Sequence, residues 1–103
     1  MNFFKKLFGS APSVNFKELT QKGAVIIDVR TPGEFGSGHI KSSVNIPLNN
    51  IGNQINKIKK YNKPIITVCQ SGSRSRMATG ILKRAGVEAY NGGAWSMFSR
   101  KIS

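Results

Sequence analysis

The stretch TVCQSGSRSRMATG, residues 67–80, combines a nucleophile with groups that can hold an anion. Cys69, the single cysteine of the chain, ends an apolar run and precedes a segment of Gly, Ser and Arg. Gly72 lets a loop curl so that backbone amides point inward, and Arg74 and Arg76 add positive charge. Such a field favours a thiolate, so we expect the pKa of Cys69 to lie below that of an ordinary thiol. We interpret Cys69 as an anionic nucleophile; the alternative is an inert cysteine at a strand end.

Strands and helices are predicted to alternate around this stretch. Apolar runs bounded by turn residues predict strands at 24–30, 43–47, 63–69 and 87–91. Polar or amphipathic segments predict helices at 16–23, 48–62 and 73–86. Strands that are apolar throughout and separated by helices indicate a parallel sheet covered on both faces. The sequence therefore predicts an α/β fold.

Two local patterns make these helices more specific. Thr31, Pro32 and Glu34 have the spacing of a capping box with proline at the first helical position, which predicts a short helical turn there. Within 48–62, apolar residues recur at spacings of three, four and three, which predicts one amphipathic helix. The residues of this stripe are Leu48, Ile51, Ile55 and Ile58.

The predicted order places Cys69 where a buried strand ends and a helix begins. Open α/β sheets bind ligands at the carboxyl ends of their strands, and a helix start offers free backbone N–H groups. We therefore predict an anion-binding site at the junction of strand 63–69 and helix 73–86.

Composition limits the classes of protein that fit. A chain of 103 residues with 39% hydrophobic residues can build one domain, and one cysteine cannot form an internal disulfide. Sixteen Lys and Arg against four Asp and Glu give a net charge of +12, which attracts small oxyanions, nucleic acid, acidic proteins or anionic lipid. No basic motif interleaved with aromatic residues supports nucleic acid, so we favour a solvated basic face over that partner.

The first residues are interpreted as an extension, 1–13, ahead of a domain at 14–103. Lys5 and Lys6 interrupt the apolar residues of MNFFKKLF, so a secretion signal is not expected, and no run reaches the ~20 residues that span a bilayer. We expect a cytoplasmic protein. The extension is either flexible or packed on the domain, or residues 1–8 make weak peripheral contact with an anionic membrane surface.

Three segments resemble the rhodanese homology domain and occur in that family's order. They are IIDVRTPGEFGSGHIKSSVNIP, CQSGSRS and NGGAWSMF, and the resemblance spans residues 15 to about 98. It implies a rhodanese-like fold, with a five-stranded parallel sheet flanked by helices on both faces. It also implies the activity of a single-domain thiosulfate sulfurtransferase, which moves sulfur through a cysteine persulfide. No cofactor and no metal are expected.

The resemblance also assigns roles to individual residues. Cys69 matches the nucleophile, which takes the outer sulfur of a donor such as thiosulfate and passes it to cyanide or a thiol. The loop whose amides surround the persulfide matches Gln70, Ser71, Gly72, Ser73 and Arg74, with Arg74 placed to bind an oxyanion. Gln70 stands where dedicated thiosulfate sulfurtransferases often carry a basic residue, which leaves the donor open.

Further residues are expected to support the site from outside the loop. The candidates for this supporting role are Ser75, Arg76, Arg30 and Trp95. Trp95 is expected to be a packing residue or part of the pocket wall. A structural role, through ion pairs and hydrogen bonds between loops, is expected for Asp28, Arg30, Glu34 and His39. A single histidine without a second catalytic signature is weak evidence for a base.

Two other functions remain open. A cysteine phosphatase or arsenate reductase needs five residues between cysteine and arginine, so that the arginine can clamp a tetrahedral anion. Here Arg74 comes one residue too early, Ser75 occupies the required position and Arg76 comes one residue too late. A non-enzymatic persulfide carrier would instead dock an acidic sulfur-relay protein on the basic surface.

Overall fold

The computed structural model describes residues 13–103. The expectations about the N-terminal extension and about membrane contact by residues 1–8 concern positions outside these described residues. Within the described part, no helix is long and apolar enough to cross a membrane.

The sheet has four parallel strands in the order β2-β1-β3-β4. They are β1 (Val25–Asp28), β2 (Val44–Asn45), β3 (Ile65–Cys69) and β4 (Ala89–Ala94). The expectation of five strands is therefore wrong for residues 13–103. The chain supplies four apolar runs, and only Ser13, Val14 and the capping residue Asn15 precede the first helix in this range, which is too short for a further strand.

Six α-helices connect or flank the strands in the described residues. They are α1 (Phe16–Gln21), α2 (Pro32–Gly36), α3 (Leu48–Ile51), α4 (Ile55–Lys60), α5 (Ser73–Arg84) and α6 (Trp95–Ile102). The capping box at α2 is confirmed: the Glu34 amide donates to the Thr31 side chain, and the Glu34 carboxylate accepts from the Thr31 amide. Helix α6 follows β4 directly and was not among the predicted helices.

The segment predicted as one helix over 48–62 is two helices separated by a 3-10 turn at Gly52–Gln54. Glycine is a poor helix former, and the φ of Gln54, −111°, departs from helical geometry. The apolar stripe nevertheless faces the core: Ile51 and Ile58 are fully buried. The periodicity identified the buried face correctly but could not locate the break.

Both faces of the sheet are covered, as predicted. Ile27 and Ile65 pack on one face with residues of α3, α4 and α5. Ile26 and Ile66 pack on the other face with residues of α1 and α6. Cys69 belongs to the first cluster, so its side chain lies on the side of the sheet that α5 covers.

Candidate active site

Cys69 is the last residue of β3, and its side chain is fully buried where α5 begins. The backbone amides of Gly72 and Ser75 donate hydrogen bonds to Sγ at 3.0 and 3.3 Å. Gly72 is the N-cap of α5 with a φ of +106°, a conformation that favours glycine because it has no Cβ. The curl predicted around Gly72 is therefore present, and it aims backbone amides at the sulfur.

The environment of Cys69 lowers the pKa of its thiol. Burial by itself raises this pKa, but hydrogen bonds from the Ser75 side chain and from the amides of Ser75, Gly72 and Ser71 outweigh it. All of these groups favour the anionic sulfur over the neutral thiol. The shift has the direction expected from the sequence.

Ser75 links the sulfur to β4 through its hydroxyl group. Ser75 Oγ lies 3.4 Å from Cys69 Sγ and 2.6 Å from Asn91 Oδ1. With a neutral thiol, the Cys69 S–H donates to Ser75 and the Ser75 hydroxyl donates to Asn91. When the thiol ionises, the sulfur becomes a pure acceptor and the hydroxyl can turn towards it. Asn91 Oδ1 also accepts the amide of Gly93 at 2.9 Å, which fixes the orientation of the Asn91 carboxamide.

Two buried threonines hold the first turn of α5 against β3. Thr67 Oγ1 and Thr79 Oγ1 both donate to the backbone carbonyl of Ser75, each at 2.8 Å. A buried polar group that lacks a partner is costly, so these paired hydroxyls favour one position of α5 relative to the strand. The Ser75 amide is thereby kept on the sulfur.

Arg74, which the resemblance places at the end of the loop to bind an oxyanion, forms an ion pair with Glu34. Its two terminal nitrogens donate to the two carboxylate oxygens of Glu34 at 2.7 and 2.9 Å. This bidentate pair raises the pKa of Arg74 and lowers that of Glu34 to about 2. Arg74 thereby connects the Cys69 loop to α2, and the contacts of Sγ are the amides of Gly72 and Ser75 and the Ser75 hydroxyl.

Arg30 is buried and joins three segments. Its guanidinium donates to both oxygens of buried Asp28, and to the carbonyls of Glu34 at 3.2 Å and Gly38 at 2.7 Å. The Trp95 ring lies against the same guanidinium, 4.7 Å from its carbon to the ring centre. These contacts fit the structural role expected for Asp28 and Arg30, and Trp95 packs against the Arg30 guanidinium.

His39 is not brought to the sulfur. Its ring stacks on Phe35 with 3.7 Å between ring centres, and Nδ1–H donates to the Phe35 carbonyl at 2.8 Å. It lines a separate depression beside α6, together with Ser99 and Ile102. The contacts of His39 are those of a structural residue.

The remaining loop residues form the rim of the site. Gln70, Ser71 and Ser73 are exposed, as is Arg76 one turn into α5. An open cavity of about 880 Å³ starts at the loop and continues along α5 past Arg76. The described residues contain no group of three His, Cys, Asp or Glu side chains that could hold a metal ion.

Sequence reasoning did not identify three residues of the site: Asn91, Thr67 and Thr79. Thr67 could have been identified because it places a hydroxyl inside an otherwise apolar strand. Thr79 could have been identified because it stands one helical turn after Ser75, on the same face of the predicted helix. Asn91 gave no local signal, because its contact with Ser75 depends on how β4 pairs with β3.

The sequence pattern of the "Rhodanese-like domain" family matches residues 14–97. The uncharacterized protein YqhL of Bacillus subtilis is 42% identical over 69 residues, which are 66% of this chain and 54% of that protein. The thiosulfate sulfurtransferase GlpE of Pseudomonas syringae is 34% identical over 82 residues, covering 80% of this chain and 73% of its own length. A putative sulfur carrier protein of Bacillus subtilis, YrkF, is 33% identical over 82 residues, 75% of this chain and 44% of that protein.

A solved structure agrees with the fold. The human single-domain sulfurtransferase TSTD1 superposes with a TM-score of 0.71 at 27% identity, over 91% of this chain and the whole of that one. The chain spans about half the length of YqhL and less than half that of YrkF. The matched pattern covers most of the chain and includes β3, the Cys69 loop and Trp95, so the chain belongs to the rhodanese-like domain family.

Proposed function

We propose that this protein is a sulfurtransferase that carries sulfane sulfur as a persulfide on Cys69. The main supporting observation is that backbone amides of Gly72 and Ser75 converge on one buried sulfur atom. Persulfide and thiolate are both anions at neutral pH, and amides held in advance at the position of the charge stabilise them without reorganisation. The sulfurtransferase relatives support the same chemistry.

The first half-reaction loads the cysteine. The Cys69 thiolate attacks the outer sulfur of a donor such as thiosulfate and forms a new S–S bond. The old S–S bond breaks, and sulfite leaves with its electron pair. The amides of the loop and the net charge of +12 attract the anionic donor. Arg74 contributes indirectly, because its bond to Glu34 holds the loop in place.

The second half-reaction unloads the cysteine. A thiolate or cyanide attacks the outer sulfur of the persulfide, the S–S bond breaks, and Cys69 regains its thiolate. The products are a new persulfide or thiocyanate. No net oxidation or reduction of the protein occurs over the cycle, so no further reactant is needed.

The phosphatase alternative is disfavoured by the position of the side chains. The residue six positions after Cys69 is Ser75, and its hydroxyl already lies against the sulfur at 3.4 Å. Arg74 is committed to Glu34, and Arg76 is exposed in the cavity along α5. A tetrahedral phosphate would therefore find no arginine clamp among these residues.

The carrier alternative is supported by the sulfur carrier relative. A carrier would form the same persulfide but would deliver the sulfur to a partner protein instead of to small molecules. Turnover therefore separates the two functions.

The test is steady-state production of thiocyanate from thiosulfate and cyanide. We expect multiple turnovers per molecule of wild type and none with Cys69→Ser, because a hydroxyl cannot carry the sulfane sulfur. Release of phosphate from an aryl phosphate is measured in parallel and is expected to be absent. Cys69-dependent phosphate release at a rate equal to thiocyanate production would contradict the proposal, and a single turnover that stops would favour a carrier.

A further inference from the structure

Asn91, on β4, competes with Cys69 for the single proton of the Ser75 hydroxyl. A hydroxyl group donates one hydrogen bond, and three possible acceptors surround Ser75 Oγ. Asn91 Oδ1 is the nearest at 2.6 Å, the Gly72 carbonyl oxygen follows at 3.0 Å, and Cys69 Sγ lies at 3.4 Å. The first distance is at the short end of the range for O–H···O bonds, about 2.5 to 3.0 Å. The proton therefore points to Asn91 while the sulfur is neutral.

Two contacts prevent the Asn91 carboxamide from turning its other end towards Ser75. Oδ1 accepts the Gly93 amide at 2.9 Å, and Nδ2 donates to the Gly72 carbonyl at 3.4 Å. Exchange of the two ends would place Nδ2 against an N–H donor and Oδ1 against a carbonyl acceptor. The carboxamide is thus held with an acceptor facing Ser75, and it cannot supply a donor there.

The charge on the sulfur decides whether this arrangement is satisfied. With a neutral thiol, the Cys69 S–H donates to Ser75 Oγ and the hydroxyl donates to Asn91. In a persulfide, Cys69 Sγ is uncharged and the negative charge lies on the outer sulfur, so the hydroxyl can stay on Asn91. A thiolate attracts the same proton, and turning the hydroxyl leaves two oxygen acceptors 2.6 Å apart with no hydrogen between them. Only the thiolate therefore leaves one acceptor without its proton.

We propose that Asn91 is a positioning residue, which holds the Ser75 hydroxyl away from the sulfur and so favours the thiol and the persulfide over the free thiolate. The persulfide half of this inference rests on the proposed function. The Ser75 hydroxyl still lowers the pKa of Cys69, so Asn91 weakens that effect without reversing it. The intrinsic nucleophilicity of a thiolate falls as the pKa of its thiol falls, so Asn91 also keeps Cys69 a stronger nucleophile.

The other titratable and charged groups on the elements around Cys69 are unchanged when Asn91 is replaced by an uncharged residue. They are Asp28 and Arg30 at the end of β1, Glu34 of α2, Arg74 and Arg76 in the first turn of α5, and Tyr90 of β4. Asp28 and Glu34 are held in ion pairs, and Tyr90 packs on the opposite face of the sheet. A change in the ionisation of Cys69 in such a variant therefore reports on the hydroxyl.

The first measurement is the pH dependence of Cys69 alkylation by iodoacetamide, which requires no sulfur transfer. Leucine has nearly the shape of asparagine but no acceptor, so Asn91→Leu frees the Ser75 hydroxyl for the thiolate. We expect the pKa of Cys69 to fall by about 0.5 to 1, the size of one ordinary hydrogen bond. In a Ser75→Ala background the same substitution should have no effect, because the shared proton is absent. Asn56→Leu, at an exposed position of α4, is the control and should leave the profile unchanged.

A second variant covers the case in which leucine disturbs the loop. Asn91→Asp keeps an acceptor for Ser75 and Gly93 and makes it stronger, so the pKa of Cys69 should rise. The added charge acts on the sulfur with or without the hydroxyl. The rise should therefore be larger with Ser75 present than in the Ser75→Ala background, and urea unfolding identifies any variant that is not folded.

The second measurement concerns the persulfide. Each protein is equilibrated with a fixed mixture of thiosulfate and sulfite, at a pH above the thiol pKa of every variant, and mass spectrometry gives the fraction of Cys69 that carries sulfur. In this exchange the thiolate takes the outer sulfur of thiosulfate, sulfite leaves with the bonding electron pair, and sulfite reverses the step. We expect the ratio of persulfide to free Cys69 to be about threefold to tenfold lower in Asn91→Leu than in wild type, which is the same free-energy difference as the pKa change.

Three results would overturn the inference and leave the proposed function intact. They are an unchanged or raised pKa of Cys69 in Asn91→Leu, an effect of this substitution that is equally large in the Ser75→Ala background, and an equal ratio of persulfide to free Cys69 in wild type and Asn91→Leu. The second result would mean a purely structural role, which does not depend on the hydroxyl. Failure of wild type to gain sulfur at any thiosulfate concentration would overturn the proposed function and, with it, the persulfide half of the inference.

Discussion

At the scale of single residues, the site is a sulfur atom whose charge is stabilised mainly by backbone amides. Gly72 and Ser75 each contribute an amide, and Ser75 adds the one side-chain hydroxyl near Sγ in the described residues. Arg74, which the resemblance placed to bind an oxyanion, forms an ion pair with Glu34. The reactivity of Cys69 should therefore depend more on Ser75 than on Arg74.

Replacing Ser75 with Ala should raise the pKa of Cys69, because the hydroxyl that stabilises the anionic sulfur is lost. The rate of alkylation by iodoacetamide near neutral pH should fall about tenfold or more, since a hydrogen bond to a charged group contributes about 1.5 to 3 kcal/mol. The measurement is the alkylation rate as a function of pH. Ser73→Ala, at an exposed position of the same loop, is the control and should leave the profile unchanged. Equal profiles for the two variants would mean that the amides alone set the pKa.

At the scale of elements, the loop is held between α2 and β4. Glu34 takes part in the capping box of α2 and also binds Arg74 in the first turn of α5. One carboxylate therefore connects two helices through residues that are 40 positions apart in sequence. On the other side, Gly72 lies against Gly93 of β4: a Cβ at Gly72 would be 3.6 Å from the Gly93 Cα. The position of the loop therefore depends on elements before and after it in the chain.

The link through Glu34 predicts a defined pH dependence of stability. The folded-state pKa of Glu34 is about 2, below its ordinary value of 4.5. A depressed carboxyl pKa stabilises the fold fully above about pH 4.5, and this contribution is lost as the pH falls towards 2. In urea unfolding, Glu34→Gln should be less stable than wild type at pH 7, and the difference should shrink below pH 4.5. Glutamine can keep the cap at Thr31, so the ionic part is isolated.

Glu18→Gln is the matched control for this measurement. Its partner is Lys22, and both side chains are more than half exposed, so its effect at pH 7 should be smaller. A Glu34→Gln difference that stays constant from pH 7 to the acid transition would contradict the assigned role of the Glu34–Arg74 pair.

Strand β4 brings a glycine into close contact with the core. A Cβ at Gly92 would lie 2.9 Å from methyl groups of Ile66 and Val68 and 3.0 Å from the Phe98 ring. Gly92→Ala should therefore lower the free energy of unfolding by about 1 to 3 kcal/mol, as overpacking of a core does. Gly33→Ala, where no atom lies within 4 Å, should not destabilise. Equal stability of the two variants in urea would show that β4 shifts to accept the methyl group.

At the scale of the whole molecule, structural features set by neighbouring residues could be predicted from the sequence. Contacts between residues far apart in the sequence could not. The cap of α2, the buried strand ending at Cys69 and the curl at Gly72 depend on neighbouring residues, and they were predicted correctly. The partner of Arg74 is 40 positions away, and no local pattern distinguishes a carboxylate there from a substrate anion. The strand count taken from the resemblance was wrong for residues 13–103, whereas the four apolar runs gave the right number.

Direct detection of the persulfide tests the central claim. Wild type is incubated with thiosulfate, freed of excess reagent, and measured by intact-protein and peptide mass spectrometry. We predict an added mass of about 32 Da on Cys69, the mass of one sulfur atom, which cyanide removes as thiocyanate. Cys69→Ser should gain no mass. An unmodified wild type, or an equal added mass on Cys69→Ser, would contradict sulfur transfer through Cys69.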